Sequence, residues 1–120
     1  MTAASETILD EVALDELRDL DDEDGGFFLE VVQAYLTDVP AMVDELRLGI
    51  QNGNAERTTR VAHSMKSSSF QLGAQQLGEL CRQAEELSRR GSCEGLEPLL
   101  AAIECQVVAV RAALATEIEG

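Results

Sequence analysis

Apolar residues from Phe27 onward recur at spacings of three and four: Phe28, Val31, Val32, Tyr35, Val39, Met42, Val43, Leu46 and Ile50. That period predicts a long amphipathic helix of about six turns. Pro40 falls inside it, lacks an amide hydrogen and crowds the preceding turn, so a kink or a restart is expected near Leu36. The run Gln51-Asn52-Gly53-Asn54 ends the pattern with turn chemistry. A second helix is expected from Ala55, capped by Asn54, to the break at Gly73, with Val61, Ala62, Met65, Ser69 and Leu72 on its core face. A third runs from about Gln75 to Arg90 with Leu77, Leu80, Cys81, Ala84 and Leu87 on one stripe, and Gly91-Ser92 stops it. The fourth extends from about Glu94 to Ile118 through Leu96, Leu99, Leu100, Ile103, Val107, Val110 and Leu114, with Pro98 tolerated in its first turn.

Ahead of these lies an acidic segment, Glu6 to Asp24, whose Ile8, Leu9, Val12, Leu14, Leu17 and Leu20 fit one short helix lying across the main body. Asp24-Gly25-Gly26 breaks the chain there, with Asp24 placed to cap the long helix. Nothing alternates with period two, so no sheet is expected. Short connections force neighbouring helices to run in opposite directions, and the all-α fold predicted is an antiparallel four-helix bundle with an additional short N-terminal helix. Residues 1–24 form the acidic segment and residues 25–118 the bundle.

Composition supports this without changing it. The 120 residues suit one domain, and 45% hydrophobic content with only 3% aromatic is the vocabulary of packed helices. Cys81, Cys93 and Cys105 are odd in number and form no CxxC pair, which reads as free thiols in a reducing compartment. No uninterrupted 18-residue apolar run and no secretory signal pattern are visible, so a cytoplasmic protein without a membrane span is expected. The net charge of −14 argues against nucleic acid as a partner.

The distribution of charge says more. Residues 57–90 hold Arg57, Arg60, Lys66, Arg82, Arg89 and Arg90 against Glu79, Glu85 and Glu86, a local balance of +3 that leaves −17 elsewhere. The segment is the one most welcoming to an anion, unless these residues merely decorate a solvated helix pair. It also contains the only histidine. At about 100° per residue, His63 points roughly 150° away from the core face of its helix, toward solvent. Glu56, Thr59, Arg60, Lys66, Ser67 and Phe70 share or border that face. Phe70 reads as an exposed ring for a docking partner or as a ring tucked under the N-terminal segment. Ser64, Ser67 and Ser68 keep the surface low enough for close approach by a macromolecule.

Imidazole, with an ordinary pKa of about 6.5, keeps a free lone pair on one ring nitrogen near neutral pH and can attack phosphorus. Lys66, with Arg60 as a second candidate, stands one turn away to stabilise phosphoryl oxygens. Phosphoryl transfer also needs a metal or a phosphate cradle, and the chain has no Gly-rich phosphate loop and no second histidine for a metal site. The missing parts must come from a partner. A free-standing hydrolase is disfavoured, because Ser64 and Ser68 have no paired base and acid.

The run Ala62-His63-Ser64-Met65-Lys66-Ser67-Ser68-Ser69-Phe70-Gln71-Leu72-Gly73-Ala74 resembles the AHxLKGSSxxLGA signature of histidine-containing phosphotransfer (HPt) domains. The likeness extends to the long helix with a proline in its second half and to Leu77, Leu80, Cys81 and Glu85 after the signature, roughly residues 25–115. It implies a phosphorelay intermediate with His63 as phosphoacceptor, Lys66 as stabilising cation, and Glu85 where the family often has a polar residue reaching toward the imidazole. Response-regulator receiver domains are the implied partners, carrying the reactive aspartate and Mg²⁺, with a hybrid histidine kinase upstream and no cofactor in this chain. Met1 and the acidic leader favour a small complete protein, and a monomer is expected. Ser67 stands where the family usually has glycine, and its hydroxymethyl group could crowd the receiver, bond a phosphoryl oxygen or fold back on the His63 carbonyl. The competing function is an adaptor that binds or sequesters a receiver without transfer.

Overall fold

Turn chemistry and helix ends coincide along most of the chain in the computed structural model, which describes residues 8–21 and 26–119. The elements are α1 (Glu11–Arg18), α2 (Gly26–Gln51), α3 (Ala55–Gln71), α4 (Gln75–Arg89) and α5 (Glu97–Glu119). All described elements are helices. Asn54 caps α3 as expected, its side chain accepting from the amide of Arg57 at 3.1 Å. Three-residue connections join α2 to α3 and α3 to α4. Each of α2 to α5 packs against two of the others, closing a four-helix bundle with α5 against both α2 and α4.

Pro40 does not restart the second element: α2 is one continuous helix of 26 residues. A proline there costs one backbone bond, while Val32, Tyr35, Val39, Val43 and Leu46 bury a stripe that continues on both sides of it. Each such side chain contributes about 1.5–3 kcal/mol on full burial, enough to hold the helix through the defect. The expected Asp24 cap lies outside the described residues. Asp21 accepts from the Phe28 amide at 2.5 Å, and Gly26 is the first residue of the helix.

α1 is shorter than the apolar pattern suggested. Asp10 caps it by accepting from the Val12 amide at 3.0 Å; Leu14 and Leu17 are buried within the helix and Leu9 just ahead of it, while Val12 and Leu20 are exposed. The segment is fastened at both ends. The Asp10 amide donates to the Gly73 carbonyl at 2.7 Å, and Arg18 pairs with Glu117 of α5 while stacking over Phe28 at 4.7 Å. Gly73 takes φ +80, and a Cβ there would meet the Asp10 carbonyl at 2.8 Å, so a glycine is required on both counts.

α5 begins at Glu97, three residues later than predicted, because Glu94 and Gly95 belong to a turn. It also revises the reading of hydropathy. An 18-residue window of α5 has mean hydropathy 1.6, long and apolar enough to span a membrane by composition alone, which a search for uninterrupted apolar runs does not detect. Glu104 and Arg111 interrupt its apolar run, and Leu100, Ile103, Val107, Val110 and Leu114 face the bundle. Its outer face, including Val108, is exposed. The three cysteines are free, with Cys81 buried, Cys93 half-buried and Cys105 exposed.

Candidate functional site

His63 projects from the middle of α3 with its side chain 59% exposed, on the side opposite the buried Val61, Ala62, Met65 and Ser69. The helix phase places it there. What phase alone does not show is the partner beneath it: Glu85 of α4 sets Oε2 2.8 Å from His63 Nδ1 and Oε1 2.8 Å from Lys66 Nζ. Arg89, one turn further along α4, reaches the same Oε2 at 2.5 Å. The Glu85 side chain is only 4% exposed. Burial opposes its charge, but the hydrogen bonds and charges of Lys66 and His63 outweigh that cost, holding the carboxyl below its ordinary pKa.

An ionised carboxylate only accepts hydrogen bonds, so Glu85 assigns the imidazole hydrogen to Nδ1. The lone pair is then on Nε2. The side chain that carries it is 59% exposed, and His63 lines none of the five grooves found on the described residues. A concavity of about 230 Å³ between α2 and α3 is lined by Tyr35, Asp38, Met42, Ser68 and Gln71. Among the described residues no three metal-ligating side chains converge.

The predicted neighbours of His63 differ in what they contact. Lys66 is on the histidine face but not free, since its side chain is 25% exposed and its ammonium paired with Glu85. Thr59, expected on or beside the histidine face where a partner would dock, turns toward α4: its hydroxyl donates to the Ala55 carbonyl at 2.8 Å and lies 2.7 Å from Ser88 Oγ. Phe70 is half-buried rather than exposed. It packs against α4, where a Cβ on Gly78 would come within 2.5 Å of its ring. Ser64 and Ser67 are exposed as predicted, and the serine that folds back is Ser68, which bonds the Ser64 carbonyl at 3.1 Å. The Ser67 hydroxyl makes no hydrogen bond among the described residues.

The basic segment is less available to an anion than its composition suggested. Arg57 lies 3.6 Å from Glu45, Arg60 3.9 Å from Glu56, and Arg82 2.5 Å from Glu79, while Lys66 and Arg89 share Glu85. The exposed pairs are weak individually, yet they cancel much of the local field. Arg60, 70% exposed, is the cation on the histidine face least committed to a partner.

The α4 residues that matter most do not stand out in a pattern of apolar positions. The face turned inward is Leu77, Gly78, Cys81, Ala84, Glu85 and Ser88, while Leu80 and Leu87 are half-buried at its edge. Small residues at Gly78, Cys81, Ala84 and Ser88, spaced three or four apart, were the available signal that α3 approaches closely on that side.

The model of the Hpt domain family matches residues 30–119. Among solved structures, histidine-containing phosphotransfer protein B from Pseudomonas aeruginosa is 25% identical with a TM-score of 0.83, the alignment covering 92% of this chain and 93% of that one. The maize histidine-containing phosphotransfer protein is 23% identical with a TM-score of 0.81, covering 98% of this chain and 92% of its own. The HPT domain of a Shewanella sensor hybrid histidine kinase is 18% identical with a TM-score of 0.79, covering 93% and 94%. No curated protein matches the chain.

Proposed function

The chain belongs to the Hpt domain family, the histidine phosphotransfer proteins of phosphorelays, and from that premise we propose that His63 carries a phosphoryl group between receiver-domain aspartates. The observation that supports this reading is the hydrogen bond from His63 Nδ1 to Glu85, which leaves Nε2 as the exposed nucleophile. In the forward step the Nε2 lone pair attacks phosphorus of the receiver's aspartyl phosphate. The bond between phosphorus and the aspartate oxygen breaks, and the carboxylate departs with the electron pair. Passing the group to a second receiver reverses the same step.

Glu85 keeps the ring in one orientation and one tautomer throughout. Lys66 moves from Glu85 toward the phosphoryl oxygens, with Arg60 as a second, more exposed cation, and Ser64 and Ser67 form the low surface beside the ring. The reactive aspartate and the Mg²⁺ that neutralises the transferring group belong to the receiver, in keeping with a chain in which no three metal-ligating side chains converge among the described residues. The upstream donor on this reading is the receiver of a hybrid histidine kinase.

The test is incubation of the full chain with a receiver bearing labelled aspartyl phosphate. Acid-labile label is expected on the wild-type chain and absent from His63→Gln. Label persisting in His63→Gln would reject His63 as the carrier. Tight receiver binding with no label on the wild type would identify an adaptor that only sequesters its partner.

A further inference from the structure

Arg89 has no role in the transfer step, yet its Nη2 lies 2.5 Å from the same Glu85 oxygen that receives the His63 hydrogen. Glu85 therefore serves three partners: His63 and Lys66 from α3, and Arg89 from its own helix. With 4% of its side chain exposed, its charge has to be compensated inside the protein rather than by water. Lys66 supplies part of that compensation in the resting chain. A phosphoryl group on Nε2 brings negative oxygens to the α3 face that carries Lys66 and competes for its ammonium. Once Lys66 moves, Oε1 loses its partner and Arg89 is the cation left on Glu85.

Resting on the reading of His63 as phosphoryl carrier, we propose that Arg89 is a positioning residue that prolongs the life of the phosphorylated imidazole by compensating the Glu85 carboxylate. Two consequences of removing it have the same sign. Glu85 would hold Lys66 more tightly and keep it from the phosphoryl oxygens. It would also hold the hydrogen on Nδ1 more firmly, and a ring that keeps this hydrogen leaves as neutral imidazole when the N–P bond breaks and Nε2 takes the electron pair. Both make the phosphoryl group easier to lose. Arg89 is 64% exposed, so its replacement leaves the buried face of α4 intact.

Phosphoramidate provides a test that needs no receiver: its P–N bond breaks, ammonia leaves, and phosphorus bonds to Nε2. The full chain is labelled in this way and the decay of phosphohistidine followed by phosphorus NMR in wild type, Arg89→Ala, Arg89→Lys, Glu85→Gln and the Glu85→Gln/Arg89→Ala double variant. Arg89→Ala is expected to shorten the lifetime about tenfold, the scale seen when a group orienting a histidine through its other nitrogen is removed. Arg89→Lys should restore most of it. In the Glu85→Gln background Arg89→Ala should change nothing, because the carboxylate it acts through is gone.

Equal lifetimes of wild type and Arg89→Ala would overturn the proposal, as would an equal loss in both backgrounds, which would make Arg89 a direct phosphoryl ligand. Failure of transfer from a labelled receiver, with these lifetimes ordered as expected, would sink the carrier reading alone.

Discussion

The ring of Phe70 fills the space that a Cβ on Gly78 would need, with ring carbons 2.5–2.8 Å from that position. Phe70 lies two turns beyond His63 on α3, and Gly78 opens the slot on α4 that receives it. The pair fixes how closely the two site helices approach, and so how far Glu85 can reach. Gly78→Ala is expected to cost about 1–3 kcal/mol by overpacking, although alanine is the better helix former. Phe70→Leu should relieve much of that cost, giving a coupling of about 0.5–3 kcal/mol in a double-mutant cycle read by chemical denaturation. Additive effects would mean that the ring does not seat on Gly78.

Acid should act on this fold through Glu85. Its carboxyl titrates below the ordinary value in the folded chain, because Lys66 and His63 outweigh the cost of burial. A depressed folded pKa contributes stability that is fully present above the unfolded value of about 4.3 and is lost as pH falls through the folded one. The melting temperature of wild type should therefore drop more steeply below about pH 4.3 than that of Glu85→Gln, which has nothing to protonate at that position. Parallel melting curves for the two proteins across that range would show that the carboxylate carries no such linkage.

At the alkaline end the reporter is Tyr35, the only tyrosine in the chain. Burial pushes its phenol up to about 12 against the opposing hydrogen bond with Ser69, 3.1 Å away, with the nearby Cys81 adding to the rise. A phenol held neutral in the fold contributes stability below its unfolded pKa of about 10 and loses it as pH climbs through the folded value. Ultraviolet titration should show no phenolate near pH 10 while circular dichroism remains native. Ionisation near that pH in the folded chain would place the hydroxyl in water rather than on Ser69.

How much of this was legible in the sequence depends on what each inference required. The outward direction of His63 follows from the period of a single helix, and Val61, Ala62, Met65 and Ser69 are buried as that period demands. The Asn54 cap is equally local, because the acceptor and the amide it satisfies are three residues apart. Contacts between helices were not legible in the period, and Glu85 was placed near the imidazole only by the resemblance to the HPt signature. Glu85 is buried because a neighbouring helix brings Lys66 and His63 to it, and hydropathy alone treats any glutamate as surface. Phe70 was misplaced for the converse reason, since its phase on α3 faces solvent until Gly78 of α4 makes room beside it. Pro40 shows tertiary burial overriding a local penalty: the stripe from Val32 to Leu46 holds α2 together across one lost bond.

Ser67 is the departure from the family signature, and the structure narrows what it does. The residue is exposed, and the hydroxyl that folds back on the helix belongs to Ser68, so the Ser67 side chain stands outward beside the imidazole. A bare helix at that position would let a receiver approach by about the depth of one hydroxymethyl group. Glycine would also weaken α3, by about 0.5–1 kcal/mol in a helix interior. If transfer is the function of this chain, Ser67→Gly should lower the melting temperature slightly and change the rate of transfer from a cognate receiver less than tenfold, since a serine is small enough for the partner's loops to pass. A hundredfold gain on removing the hydroxymethyl group would instead show that the natural residue blocks chemistry, and would favour the sequestering adaptor over the carrier. Single-turnover transfer from one labelled receiver, compared between wild type and Ser67→Gly at equal receiver occupancy, separates the two.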